Sequence, residues 1–528
     1  MTDGQEEAAT RRDPLGGPAD AGRSAQDLGG RVVAGLRWKM TTQVTVQVTR
    51  IGVAVLLARL LTPREFGLAG MVLVFSALAV VLSDVALGAA LVRKRTISED
   101  DRCTAFWATL AGGALLTLIG VAVSGPIAGF YGEPDVQPLF AAVSLSFLVT
   151  AIGATQAALM IRDMNFRGLE IRMMVGTFVG AVVAVVLALL DYGAWAIIGQ
   201  QLTLAVVSSA LLWRFSTWRP RLRFSPASAR DLGGFGAKVF GVNLLNYGNR
   251  NADNLLVGRF LGASALGVYA LAYNLMLLPL NRIVSPLSGV LFPAFSRMQD
   301  DRERTARVWI RANRMICALI APAMFGLLVL APDVIPTVVG PQWDDAVPVI
   351  QVLTWVGLLQ ALQHLNGIVL QAVDRAGVQL RFAVVVFAAG MAGFVGGLPF
   401  GLLGVATGFA IATTIVQPVY TVVTCRAIAM SPARMLRALS GVVQAAALMA
   451  VALLAARAGL LQTPLPTAAR LVILVALGGV AYLACCWWRA PGVVDELRGL
   501  RSRRRSAPSA APAGAEPGLP ASDPATPA

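Results

Sequence analysis

The chain has 528 residues, 56% of them hydrophobic and only 14% charged, with a formal net charge of +15 and a mean hydropathy of +0.68. A soluble domain runs nearer half apolar and a quarter charged, so water is a poor match for this chain. The positive charge does not point to nucleic acid, because the bases sit in short clusters between apolar runs and not along one soluble face.

Apolar runs of about twenty residues, each long enough to cross a hydrocarbon core, recur along almost the whole length. They predict helices over 38–61, 66–92, 103–124, 138–161, 172–190, 194–213, 234–261, 265–293, 309–331, 346–372, 378–398, 402–425, 437–457 and 467–488. The short alternating strands of an outer-membrane barrel are absent from the pattern. The first thirty residues are polar and Gly-rich without an apolar core, so the first helix is expected to act as the insertion signal. The tail from Pro491 is basic (Arg498, Arg501, Arg503, Arg504, Arg505) and then rich in Ala, Pro and Ser, a composition expected to stay disordered. Ser98 and Asp101 have the spacing of a capping box at the start of the third helix, a better reading of Ser98-Glu99-Asp100-Asp101 than a metal or nucleotide site.

Loop charge sets the orientation. With a cytoplasmic N-terminus, Arg93, Lys94, Arg95 and Arg102 lie inside, as do Arg162 and Arg167, Arg219 to Arg223, Arg302 to Arg311, Arg426 to Arg437 and the basic tail. The opposite loops carry Glu133, Asp135, Asp191, Asp333, Asp344 and Asp345. The chain also repeats: shifted by 200 residues without gaps, Arg50 meets Arg250, Arg59 meets Arg259, Gly67 meets Gly267, and Asp100-Asp101-Arg102 meets Asp300-Asp301-Arg302. Six helices per period predict two six-helix bundles related by an axis along the membrane normal. The expected fold is an all-α integral membrane protein of about fourteen transmembrane helices. Its expected segments are a polar cytoplasmic tail (1–34), a first bundle (35–215), a linker (216–233), a second bundle (234–430), two extra helices (431–490) and a basic, then Pro/Ala-rich tail (491–528).

A charge at mid-membrane costs about 2.5–3.5 kcal/mol on insertion scales, so each one calls for an explanation. Gln43, Gln47 and Arg50 share one face of helix 1; Asn243, Tyr247, Arg250 and Asn254 share one face of helix 7. The two stripes coincide under the 200-residue shift, which suggests a water-filled cavity between the bundles. Helix 8 adds Asn274, Asn281, Arg282 and Ser285, and Lys238 lies nearer the cytoplasmic end of helix 7. Such a cavity is cationic and suits a phosphate-bearing headgroup, since guanidinium binds phosphate oxygens in a bidentate fork. The competing role for Arg50 and Arg250 is structural, paired with Asp253 or with helix-end carbonyls. Arg59 and Arg259, near the outer helix ends, read as snorkelling or loop-anchoring residues. Asp84 and Asp253 are the intramembrane acids and the candidates for ion coupling, although Asp84 also fits a place close to the cytoplasmic interface. His364, near Gln360, Gln363 and Gln371, reads as a packed, hydrogen-bonded histidine and not as a proton relay. The five cysteines show no metal-ligand spacing and read as small packing residues. No cofactor motif, acid pair or nucleophile–base set stands out, which argues against an enzyme.

Several runs resemble the Wzx-type polysaccharide-transporter family of the multidrug/oligosaccharidyl-lipid/polysaccharide exporter superfamily. They are Ala58-Arg59-Leu60-Leu61-Thr62-Pro63-Arg64-Glu65-Phe66-Gly67-Leu68, Ser83-Asp84-Val85-Ala86-Leu87-Gly88-Ala89-Ala90-Leu91, Phe130-Tyr131-Gly132-Glu133-Pro134, Asn251-Ala252-Asp253-Asn254-Leu255-Leu256-Val257-Gly258-Arg259 and Gly340-Pro341-Gln342-Trp343. The resemblance spans about residues 35 to 430. It implies a flippase of the bacterial cytoplasmic membrane that moves undecaprenyl-pyrophosphate-linked oligosaccharide outward by alternating access, with both termini cytoplasmic. Polysaccharide polymerase and chain-length machinery are the implied partners beside membrane lipid. It does not imply which residues bind. A multidrug exporter and a lipid II flippase of the same superfamily are the nearest alternatives, and a membrane glycosyltransferase or polymerase is a more distant one.

Overall fold

The structure is a computed structural model. It describes the backbone of residues 42–84, 91–92, 94 and 96–490, and the side chains of those residues apart from 77–84, 229–250, 283, 285–286 and 288–290. Among the described residues every regular element is a helix, and eleven helical stretches are long and apolar enough to cross a membrane. The chain is a multi-pass helical membrane protein.

The first helices are α1 (Thr42–Leu60), α2 (Pro63–Asp84), α3 (Glu99–Tyr131), α4 (Val136–Arg162), α5 (Phe166–Leu189) and α6 (Trp195–Phe215). Helix α3 starts four residues before the apolar run because its cap does. Asp101 N–H donates to Ser98 Oγ at 3.1 Å, and Ser98 N–H donates to the Asp101 carboxylate at 3.0 Å. Lys94 neutralises Asp101 at 3.0 Å, so the acidic loop is a helix start. At its far end α3 also outruns the expectation and stops at Gly132, which takes the left-handed conformation (φ 72°) open to glycine.

The next helix begins at Pro226, eight residues earlier than its apolar run suggests, so the last part of the expected linker is helical. Ser225 caps it and Pro226 occupies its first turn, where a missing N–H costs nothing. The stretch before it is pinned: Trp107 Nε1 donates to Arg221 O at 2.8 Å, Trp218 Nε1 to Glu99 at 2.9 Å, and Ser225 N–H to Thr104 Oγ1 at 2.9 Å. The segment that joins the two halves of the chain is thus fastened to the start of α3.

The 71-residue element Pro226–Ser296 breaks only at Gly262 (φ 84°), a conformation that an L side chain resists. We call its parts α7 (226–261) and α8 (263–296). They lie side by side as an antiparallel pair, since Tyr269 Oη donates to Asp253 at 3.1 Å and Gly258 faces Leu266. Then come α9 (Arg302–Val334), a π-helical turn (Ile335–Val339), α10 (Ala346–Ala372), α11 (Ala376–Gly397), α12 (Gly401–Ala427), α13 (Pro432–Leu460) and α14 (Thr467–Arg489). Helices α11 and α12 meet at Gly393–Gly408 and Gly397–Gly404, where an added methyl group would overlap the opposite carbonyl oxygen. Small residues let backbones approach where lipid supplies no hydrophobic drive for association. The five cysteines are free, and all but the half-buried Cys485 are buried.

The last two helices are fastened to α9. Asp333, fully buried, accepts from Arg470 at 2.7 Å and from Arg457 at 2.5 Å, and Tyr482 Oη donates to Ala318 O at 2.7 Å.

The contact between α2 and α8 is reciprocal. A methyl group on Gly67 would overlap the carbonyl oxygen of Ala263, and one on Gly267 would overlap that of Pro63. Residues 63 and 263, and 67 and 267, are equivalent under the 200-residue repeat. A local two-fold axis produces contacts that exchange in this way.

Candidate functional site

Two adjoining chambers lie between the N-terminal and C-terminal halves of the chain, and a third adjoins them between α8 and α10 of the C-terminal half. The first, about 340 Å³, is walled by α1 and α8 and holds Gln47, Arg50, Asn274, Asn281 and Arg282. The second, about 380 Å³, shares Arg50 and Asn274 with it and adds Thr177, Gln200 and Gln201 from α5 and α6. The third, about 390 Å³, shares Asn281 and adds Tyr273, Gln360 and His364. Their remaining walls are largely aliphatic. Such volumes fall in the range of roughly 300–1,000 Å³ usual for small-molecule sites.

Charge is distributed unevenly in this space. Arg50 and Arg282 are both exposed in it, and neither makes an ion pair or hydrogen bond among the described residues. Among the described residues no Asp or Glu lines any of the three chambers. A guanidinium is a permanent cation with five N–H donors and no acceptor. Two of them face one apolar-walled space with no counterion among the described residues.

The chambers are closed at one end. The last carbonyls of α1, which have no helical partners, accept from across the two halves: Gln342 Nε2 donates to Ala58 O at 2.8 Å, and Trp343 Nε1 donates to the same oxygen at 2.7 Å. In return Arg59 donates to Val338 O at 2.9 Å and to Thr337 O in the π-helical turn. The Phe66 ring meets Trp343 edge-on at 5.4 Å. With the reciprocal glycine contact, these bonds seal the two halves beside the first and second chambers.

The sequence-derived candidates divide. Gln47, Arg50 and Arg282 line the first chamber. Gln43 is exposed but lines none of the chambers, so its place on the helical stripe did not bring it in. Asp253 is buried away from them, accepting from Tyr269 Oη and, at 2.8 Å, from Asn254 N–H. Asn254 sits beside it, its Oδ1 buried with no partner. Arg59 is an anchoring residue, as its position at a helix end suggests, and the Arg259 guanidinium lies 5.6 Å from the Phe130 ring. His364, expected to be packed, is instead exposed at the third chamber. Asp84, Lys238, Asn243, Tyr247 and Arg250 fall outside the described side chains. Gln200, Gln201, Thr177 and Tyr273 were missed. Adjacent glutamines in the middle of an apolar span are a signal that a stripe search on α1 and α7 passes over.

Arginine-bearing chambers inside a multi-pass helical membrane protein define a transporter-like class of protein. The arrangement of helices matches "Lipid II flippase MurJ, inward closed conformation" with a TM-score of 0.67 at 14% identity, covering 86% of this chain and 100% of that one. In sequence, the chain is 30% identical to the lipopolysaccharide biosynthesis protein WzxC of Escherichia coli (strain K12) over 72% of its own length and 78% of that protein's. It is 32% identical to the succinoglycan biosynthesis transport protein ExoT of Rhizobium meliloti (strain 1021), over 56% of this chain and 60% of that one. Residues 56–348 match the family model described as polysaccharide biosynthesis protein. The chain belongs to the polysaccharide biosynthesis protein family.

Proposed function

We propose that this protein is a flippase that carries an oligosaccharide, linked to undecaprenyl pyrophosphate, across the bacterial cytoplasmic membrane. One observation carries the reading: Arg50 and Arg282 face a shared space that no carboxylate lines among the described residues. A pyrophosphate in hydrocarbon faces a severe desolvation cost, and the two guanidiniums offset it with charge-assisted hydrogen bonds. Arg250 is assigned to the same role through its equivalence to Arg50 under the repeat, with Asn243, Tyr247 and Lys238 beside it. The polyprenyl tail stays in lipid while the headgroup crosses. The bases of the alternate loops put both termini in the cytoplasm, and the sealed end, beside Glu133, Asp135, Asp191, Asp344 and Asp345, faces outward. Transport then consists of breaking the seal at residues 58–67, 263–267 and 337–343 while the opposite end closes, by rocking of two six-helix bundles about the local two-fold axis. Polymerase and chain-length proteins receive the cargo outside. Asp84 and Asp253 remain the candidates for coupling to an ion gradient. A multidrug exporter of cations is disfavoured by the same acid-free walls.

Deletion of the gene tests this reading. Lipid-linked oligosaccharide is expected to accumulate with its headgroup on the cytoplasmic leaflet. Normal delivery of that intermediate to the outer leaflet in the deletion strain would refute it.

A further inference from the structure

The three chambers differ in hydrogen-bonding character. Arg50 and Arg282 in the first offer donors only. The polar groups of the third among the described residues are Tyr273, Asn281, Gln360 and His364, with no Asp, Glu, Lys or Arg among them. Amides and a phenol each offer a donor and an acceptor, and an imidazole offers both in its uncharged form. An anion has no use for acceptors, whereas a sugar hydroxyl, itself both donor and acceptor, is matched by such a set.

The placement follows from helical periodicity. Gln360 and His364 stand four residues apart on α10 and share a face; Tyr273, Leu277, Asn281 and Val284 run down one face of α8 opposite them. Gln360 and Asn281 make no hydrogen bond among the described residues. The Tyr273 ring is held against Tyr269, with centroids 5.8 Å apart and planes inclined by 19°. The aliphatic remainder of the wall suits the C–H faces of a pyranose. Asn281 belongs to both the first and third chambers, so a group seated in one is the immediate neighbour of a group seated in the other. In a lipid-linked oligosaccharide the first sugar is bonded directly to the pyrophosphate.

We propose that the third chamber is the subsite for this first sugar, and that it selects a neutral one. A uronic acid there would meet no arginine or lysine among the described residues, so its carboxylate would lack the counterion that a buried charge needs. This inference rests on the transport reading, and its test separates the two. The probes are undecaprenyl pyrophosphate without sugar, the same lipid bearing one glucose, and the same lipid bearing one glucuronic acid. Each is titrated into the purified protein in phosphatidylcholine nanodiscs, and affinities are read by native mass spectrometry. Wild type is expected to bind the glucose-bearing lipid about tenfold more tightly than the bare pyrophosphate, from one or two added hydrogen bonds, and to show no such gain with glucuronic acid. Gln360→Leu, which keeps the volume and removes the amide, is expected to abolish the tenfold gain while leaving affinity for the bare lipid unchanged; Gln360→Ala with His364→Ala serves as a second variant. The proposal is overturned if wild type shows no gain, if the glucuronic acid lipid binds more tightly than the glucose lipid, if both variants keep the gain, or if Gln200→Ala with Gln201→Ala in the second chamber abolishes it instead. Weakened binding of the bare lipid in Arg50→Ala with Arg282→Ala reports on the transport reading alone, because the sugar preference is a ratio within one protein.

Discussion

Two arginine pairs in this molecule have opposite surroundings. Arg457 and Arg470 close on the single buried carboxylate of Asp333 and fasten α13 and α14 to α9. Arg50 and Arg282 open onto chambers that no carboxylate lines and have no partner among the described residues. The first cluster satisfies its own charge and is a fastening. The second has no counterion among the described residues, and that contrast is what the proposed anion site rests on. Residue type does not distinguish the pairs; the position of acids does.

The comparison breaks most decisively at the open pair. Arg50→Ala with Arg282→Ala is expected to lower flipping in proteoliposomes by at least about 100-fold, since hydrogen bonds to charged groups are worth about 1.5–3 kcal/mol each. Thermal stability should hold, because no internal partner is lost. The fastened pair should behave in reverse. Asp333→Ala leaves two guanidiniums without a counterion and is expected to cost about 3 kcal/mol in thermal or denaturant unfolding, with flipping per folded molecule retained. Replacing Asp333, Arg457 and Arg470 together with Leu or Met should restore much of that stability. A smaller effect is expected at the seal. Gly67→Val drives a side chain into the Ala263 carbonyl, and overpacking costs about 1–3 kcal/mol; turnover should fall about tenfold while affinity for undecaprenyl pyrophosphate changes little. The smallest effect is at Gln43, exposed beyond the chambers, where Gln43→Ala should change stability by less than about 0.5 kcal/mol and leave flipping unchanged.

Helix positions were legible because lipid imposes a length on every span. The bounds of α10 agree with its apolar run, residues 346–372. Among the displaced starts, those of α3, α5, α7 and α9 lie where a side-chain cap and polar first turn extend the helix beyond its apolar run; Ser98, Asn165, Ser225 and Asp301 carry that information in their side chains. The repeat was legible as matched residues, but the reciprocal packing of Gly67 and Gly267 was not, because it depends on which surfaces meet. The same limit governed the site. A stripe on one helix identifies a polar face and not its depth, so Gln47 and Arg50 entered the cavity while Gln43 did not. Gln200, Gln201 and Tyr273 come from α6 and α8, and only the packing of those helices beside α1 and α10 brings them to the chambers.

The most direct measurement is equilibrium binding of undecaprenyl pyrophosphate, with undecaprenol as the uncharged control, to wild type and to the Arg50→Ala, Arg282→Ala protein. The unpaired guanidiniums predict that wild type strongly prefers the pyrophosphate and that the double variant loses about two orders of magnitude in that affinity with none lost for undecaprenol. Equal affinity of the two proteins for undecaprenyl pyrophosphate would contradict the account.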